Sequence, residues 1–435
     1  MGMYDFVAGI FLGIVLAFVS AVYHSSRVPA VRATYTGDQV GSMVRRNPSQ
    51  HHFLRQVGQQ THIIKLSGFL FFGTIVGVEE EIRDLISDEY FRHNPIKYLI
   101  IDLWHVTGID YSAGEGFMTI SRLLHKKGVG LLISGKDPES KIGRDLRAVG
   151  LGSDGIEVKF MPDLNSALES CENEQLKTFY ARQEALRVSR PSAPAPTSAH
   201  LDVPGTSSHH HHSSHENQQP INGLDILSQS PRRSRLHQAA RNVLTQQEIR
   251  RATRWQSLSE PLRLMLQVFH DVSGRNEDFW FRAGPYFTRR ELRAGEVLYR
   301  RGDPAGPGSE TEPETESESV SESGSGSENG NRGAGFYLVE RGELRADYET
   351  ARGRLSEPIV QGTSCGELPF FSATRRTATV VAARDATAVW VLTPRSWRRL
   401  QRDHPDVAAE LLEVALRLTS ERMNVMINYI SAVAN

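Results

Sequence analysis

Residues 366–380 read Gly-Glu-Leu-Pro-Phe-Phe-Ser-Ala-Thr-Arg-Arg-Thr-Ala-Thr-Val, a glycine and a carboxylate followed by arginines at the mouth of a β-run. Glycine lets the backbone turn with φ > 0, and a short helical turn starting at Glu367 would point backbone N–H groups at an anion. The Glu367 carboxylate can accept a ribose hydroxyl, while Arg376 can offer a forked guanidinium to phosphate oxygens. This is the layout of a pocket for a ribose and a phosphate, and it reads as a sensor more than as a catalyst.

The elements that must hold this pocket form the second folded unit, expected over 237–435. A helical stretch with Leu262, Leu266, Val268 and Phe269 leads into Arg293-Ala-Gly-Glu-Val-Leu-Tyr-Arg-Arg-Gly-Asp303. Short strands follow at 335–340, 343–349, 377–382 and 388–392, punctuated by Gly302, Gly342 and Gly366. Such strands, closed by helices, predict a small α+β roll. The segment 309–330, with seven glutamates and no basic residue, is expected to be a disordered, solvated insertion in it. Pro405 opens a last helix with Val407, Leu411, Val414, Ala415 and Leu418 on one side.

The cassette and its flanks resemble cyclic-nucleotide-binding domains over roughly residues 262–430. The resemblance implies that Glu367 holds the ribose, that Arg376 holds the cyclic phosphate, and that the last helix closes over the base. It also places Thr377 where a hydroxyl favours guanine over adenine. Gly366, Glu367, Leu368, Arg376 and Thr377 are therefore the candidate contacts for cAMP or cGMP, and no cofactor is expected beyond such a ligand. Two positions depart from the pattern. Pro369 stands where the family donates a backbone N–H to the phosphate, a loss of about 1.5–3 kcal/mol. Cys365 replaces a bulky aromatic residue. The alternative is a structural or differently liganded roll.

Composition sets the outer bounds. The chain has 435 residues, with 50 basic against 51 acidic side chains and a net charge of -1, so bulk charge nominates no nucleic acid partner. Its two cysteines, Cys171 and Cys365, exclude a disulfide framework or a cysteine-built zinc site. Residues 6–23 carry no charge and are nearly long enough to cross a bilayer, so 1–24 is expected to be one transmembrane helix. No basic residue precedes that run. Arg27, Arg32, Arg45 and Arg46 follow it, which predicts a lipid membrane partner and places the remainder in the cytosol. Gly9 and Gly13 have the spacing of a helix-packing face.

Residues 58–185 alternate strand patterns (62–66, 98–103, 129–134, 156–160) with helical ones (78–86, 113–126, 140–149, 164–182). That order predicts an α/β domain with helices on a mixed, largely parallel sheet. Asp110-Tyr-Ser-Ala-Gly-Glu115 opens a helix in which Ser112 and Glu115 satisfy a capping box. This motif, the segment Lys65-Leu-Ser-Gly-Phe-Leu-Phe-Phe-Gly-Thr74 and the preceding apolar helix resemble the STAS domain in the cytosolic tail of SulP-type anion transporters. The resemblance covers most of residues 1–185 and makes Ser112 a candidate regulatory phosphosite as well as an N-cap. Gly130-Leu-Leu-Ile-Ser-Gly-Lys-Asp137 nearly spells a P-loop, but Asp137 stands in the Ser/Thr position and the run belongs to a strand. No esterase elbow or zinc-protease motif appears, so an enzyme is not expected.

Residues 186–236, rich in Pro, Ser, Ala, Gln and His, read as a disordered linker. His209, His210, His211, His212 and His215 within it have nothing nearby to fix a metal geometry, and no metal site is expected. In sum the sequence reads as the regulatory portion of a SulP-type sulfate or related anion transporter, of fungal type. One membrane helix cannot form a translocation path, so the expected partners are the remaining transporter helices or a homo-oligomer through STAS. The alternative is a membrane-tethered signalling adaptor without transport. On the nucleotide reading, Arg376→Ala removes binding and Pro369→Ala strengthens it about tenfold or more; calorimetric titration with cAMP and cGMP checks both.

Overall fold

The computed structural model describes residues 2–26, 29–153, 155–188, 231–243, 254–255, 257–306, 333–350 and 353–434. The histidine tract, the acidic insertion at 309–330 and most of the expected linker lie outside the described residues. The chain opens with the helix Gly2–Ser26, whose described side chains, residues 6–20, are all exposed. Among the described residues no helix is long and apolar enough to cross a membrane.

The first unit is built on five strands in the order β1 (Val31–Thr36), β2 (Thr61–Leu70), β3 (Tyr98–Ile109), β4 (Gly130–Ser134) and β5 (Val158–Met161). β2 to β5 run parallel and β1 pairs antiparallel with β2, giving the mixed, largely parallel sheet expected. β1 precedes residue 58, where the pattern was expected to begin. Strand alternation decides what each face buries. Ile64, Leu66, Leu99, Ile101, Leu131 and Ile133 share a core with the helices Phe72–Leu85, Tyr111–Lys126 and Lys141–Ala148. Ile63, Ile100 and Leu132, one residue out of phase, pack with Leu164, Leu168 and Cys171 of the helix Leu164–Val188.

One expected feature of this unit is corrected. The helix Tyr111–Lys126 is capped by Asp110, whose side chain accepts from the Ala113 backbone N–H at 2.7 Å. Ser112 therefore lies inside the first turn and is not the N-cap, because the carboxylate two residues earlier reaches the free N–H first. Ser112 itself is exposed. A helix Pro231–Val243, reaching into the expected linker, buries Leu236, Ala239, Ala240 and Val243 against Phe53, Leu54, Val57, Leu176 and Phe179 of the first unit.

The second unit is a roll of two four-stranded sheets. Its strands are β6 (Phe287–Leu292), β7 (Val297–Tyr299), β8 (Phe336–Arg341), β9 (Glu343–Thr350), β10 (Gly353–Val360), β11 (Ser364–Cys365), β12 (Thr379–Ala382) and β13 (Thr387–Leu392). One sheet has the order β10-β9-β12-β7 and the other β11-β8-β13-β6, paired antiparallel throughout. The helix Leu262–Phe269 and the final helix Pro405–Ala434 close one end, burying Met265, Phe269, Val407, Leu411 and Val414 with Trp280, Phe336 and Phe370.

The final helix continues past the roll. Tyr429 and Ala432 lie in the core on the far face of the first sheet, beside Ile63 and Ile100. There Lys65 of β2, 1% exposed, donates from Nζ to the carbonyl oxygens of Ala432 and, at 3.3 Å, Val433. A buried ammonium at a helix C-terminus satisfies carbonyls that have no partner within the helix. Burial pulls the Lys65 ammonium below its ordinary range, opposed by nearby Asp102. Replacing it as Lys65→Met should leave both units folded by circular dichroism while amide exchange at 426–434 rises about tenfold or more, the loss of a charge-assisted hydrogen bond.

Candidate functional site

The residues of the 366–380 cassette converge where β11 and β12 meet the roll's short helix Glu367–Phe371. Gly366 turns the chain at φ 79°, and a Cβ there would lie 2.6 Å from Nη1 of Arg376. Only glycine combines that dihedral with that approach. Arg376 is 2% exposed, with its guanidinium 4.0 Å from the centroid of the Tyr299 ring. Its Nη1 donates to Gly366 O at 3.0 Å, and its Nη2 donates to Gly333 O at 2.8 Å and Gly335 O at 2.6 Å. Three main-chain carbonyls thus hold the arginine expected to face a phosphate, and its buried Nε has no hydrogen-bond partner among the described residues. Leu368 and Thr377 are exposed, and Pro369 is half-buried.

Glu367 is 2% exposed and is engaged by arginines from two distant parts of the chain. Arg45 reaches it through Nη1, at 3.2 and 3.4 Å from the two carboxylate oxygens. Arg422 of the final helix brings Nη1 to 3.8 Å. A second buried carboxylate completes the cluster: Glu357 on β10 takes Arg45 Nε at 3.1 Å on one oxygen. Its other oxygen takes Arg422 Nη2 and the Tyr348 hydroxyl, the latter at 2.9 Å. Arg45 Nη1 also donates to Ser364 O.

Local chain geometry aims Arg45 at this cluster. Its backbone N–H donates to Pro358 O at 2.8 Å, and Val360 N–H donates to its carbonyl at 3.2 Å, so the residue joins β10 as a one-residue parallel bridge. Extended backbone sends successive side chains to opposite sides. Arg46 accordingly turns back to the first unit, donating from Nε to Glu172 Oε2 at 2.9 Å. Ser42 donates to the same carboxylate from N at 2.7 Å and from Oγ at 2.6 Å, and Met43 N–H reaches Asn165 Oδ1 at 2.7 Å.

The two carboxylates and two guanidinia balance in charge and leave little room. The cavity lined by Arg45, Tyr348, Glu367, Arg376, Thr377 and Arg422 has a volume of about 30 Å³, whereas small-molecule pockets span roughly 300–1,000 Å³. Burial pushes the Glu357 carboxyl up, but Arg45 and Arg422 together outweigh it and hold it below the ordinary carboxylate range. Burial also opposes the charge on Arg45, and Glu357 and Glu367 overcome it, raising its pKa.

The structure therefore gathers Gly366, Glu367 and Arg376, with Leu368 and Thr377 exposed beside them, and adds Arg45, Glu357, Tyr348 and Arg422. Sequence reasoning missed these four. Arg45 has a visible role as a basic residue after an apolar run, Glu357 lies in a strand that no alternation announced, and Arg422 sits in a helix read for its apolar side. No local signal pairs residues more than 300 positions apart.

Comparison with known proteins agrees with both units. Residues 54–167 match the family described as the STAS domain, and residues 328–404 match the family described as the cyclic nucleotide-binding domain. The chain thus joins a STAS domain to a cyclic nucleotide-binding domain. It is 28% identical to a vacuolar basic amino acid transporter of Saccharomyces cerevisiae, over 99% of this chain and 41% of that protein. The chain spans about two-fifths of that relative's length. Among solved structures, a cyclic nucleotide-binding domain from Methylobacillus flagellatus is 15% identical with a TM-score of 0.31, covering 40% of this chain and 83% of its own. The catabolite activator protein of Thermus thermophilus is 22% identical with a TM-score of 0.26, covering 38% and 62%. The domain assignment rests on the family match and not on these two likenesses.

Removing one partner of a buried ion pair leaves the other charge uncompensated, so Arg45→Ala should destabilise the full chain by about 3 kcal/mol in denaturant unfolding. The Glu357 contribution has a definite pH sense. Its folded pKa lies below the unfolded one, so the stabilisation is complete above about pH 4.3 and is lost as pH falls through the folded value. An acid titration of stability should therefore be shallower in Arg45→Ala than in the native chain.

Proposed function

We propose that this chain is the cytosolic regulatory portion of a SulP-type membrane transporter, in which the nucleotide-binding-like roll is latched to the STAS domain. The order of the parts carries this reading: an apolar helix, a STAS domain and a cyclic nucleotide-binding domain in a chain that aligns along nearly its whole length with a transporter. The helix Gly2–Ser26 exposes Phe6, Phe11 and Phe18 by 70%, 65% and 69%. Apolar surface so bare suits lipid better than water, and Arg27 and Arg32 after it favour a cytosolic location for the rest. The role is regulatory and not catalytic, with the remaining transporter helices or a second copy through STAS as partners.

Two substrate classes are in play. The STAS resemblance points to sulfate or a related anion, and the name of the curated relative points to basic amino acids. Ser112, exposed in the first turn of its helix, is the proposed phosphosite, where the helix dipole tolerates added negative charge. Nucleotide sensing through Gly366, Glu367, Leu368, Arg376 and Thr377 requires Arg45 to withdraw first, so the native chain should give no heat with millimolar cAMP or cGMP.

The test is recovery and uptake. Tagged full chain extracted from membranes should bring down a multi-span subunit or its own copies, and membranes lacking the chain should show altered uptake of labelled sulfate or labelled arginine. Recovery with signalling proteins alone, together with unchanged uptake of both, would establish the tethered adaptor instead.

A further inference from the structure

The contact of Arg45 with the roll is built as a receptor is built around a ligand. Glu357 and Glu367 are each 2% exposed, and a buried carboxylate is sustained only by a cation or hydrogen-bond donors beside it. Arg422 supplies one cation from the roll's own final helix. The second comes from residue 45, on a segment whose neighbours are bonded to the STAS domain. The acceptors suit a planar fork: Glu357 takes Nε, while Glu367 and Ser364 O share Nη1. An ammonium is a single point charge and cannot meet acceptors spread along a guanidinium.

A cyclic phosphate meets the opposite conditions. Arg376 already gives three hydrogen bonds to the carbonyls of Gly333, Gly335 and Gly366, which would be left bare if it turned to a phosphate. An anion entering the space of Arg45 would also lie beside two buried carboxylates.

We propose that the pocket formed by Glu357, Glu367 and the Ser364 carbonyl is a guanidinium receptor, that Arg45 is its tethered ligand, and that a small free guanidinium compound of the arginine type displaces it. The proposal goes beyond the transporter reading and does not depend on it, since a tethered adaptor would carry the same pocket. Displacement takes the Arg45 side chain off Glu357, Glu367 and the Ser364 carbonyl and leaves its backbone bridge to β10 as the remaining bond there, while Ser42, Met43 and Arg46 keep their bonds to the STAS domain, so the joint is weakened on the roll side only. A short tether holds Arg45 at an effective concentration on the order of millimolar, so a free ligand competes weakly in the native chain and far better once the side chain is removed.

The experiment uses the full chain in four forms: native, Arg45→Ala, Arg45→Lys, and Arg45→Ala combined with Glu357→Gln. Each is titrated with arginine, agmatine, lysine, cAMP and cGMP, and followed by calorimetry and thermal unfolding. Arginine and agmatine should bind Arg45→Ala about tenfold or more tighter than lysine does and raise its Tm, with a response at least about tenfold weaker in the native chain. Glu357→Gln should remove the response. If Arg45→Ala folds only with agmatine present, that supports the same conclusion, and Arg45→Lys should show the same ligand order. The proposal is overturned if folded Arg45→Ala or Arg45→Lys ignores arginine and agmatine up to the order of 10 mM, or answers lysine equally. It is overturned as well if either variant binds cAMP or cGMP more tightly than agmatine, or if neither folds or responds at any agmatine concentration.

Discussion

The arrangement of this protein depends on where the positive charge of Arg45 is placed. Two carboxylates buried side by side in the roll need cations beside them, and Arg45, 11% exposed at its side chain, is one of the two arginines paired with them. The consequence is geometric as well as electrostatic. Because Arg45 is also paired through its backbone to β10, and its neighbours are bonded to Glu172 and Asn165, satisfying Glu357 and Glu367 fixes the roll against the STAS domain. A site whose residue types suit a ribose and a phosphate is here a joint between domains.

The final helix answers the same constraint from the other end. Its first turns bury Val407, Leu411 and Val414 in the roll, its middle sends Arg422 to Glu357, and its end lies on the STAS sheet with Lys65 closing its last carbonyls. In a nucleotide-binding domain the corresponding helix responds to whatever fills the pocket. Here one helix touches both the pocket and the neighbouring sheet, so Glu357 and β2 are joined by contiguous packing along a single element.

Legibility followed the range of the physical signal. The parallel strands β2 to β4 announce themselves as apolar runs because both of their faces are buried, and the glycine at 366 announces a positive φ that the structure shows. β1 and β10 were missed for the converse reason. β1 is a half-buried edge strand, and β10 carries Glu357 where alternation would ask for an apolar residue and Pro358 next to it, its carboxylate being buried only because arginines come to meet it. Ser112 shows a nearer failure: two side chains competed to cap one helix, and the choice of Asp110 turned on a 2.7 Å contact that spacing rules do not resolve.

By itself the sequence determined the parts and their order: an apolar helix, an α/β unit, a roll, and a cassette with Gly366, Glu367 and Arg376 in register. These follow from periodicity, charge and backbone freedom, all of which act within a few residues. The tertiary structure alone decided how the cassette's charges are spent. It gave Arg376 to main-chain carbonyls and Glu367 to Arg45, because the energy of a buried charge is set by what lies within a few ångströms in space, and those neighbours come from residues 45, 357 and 422.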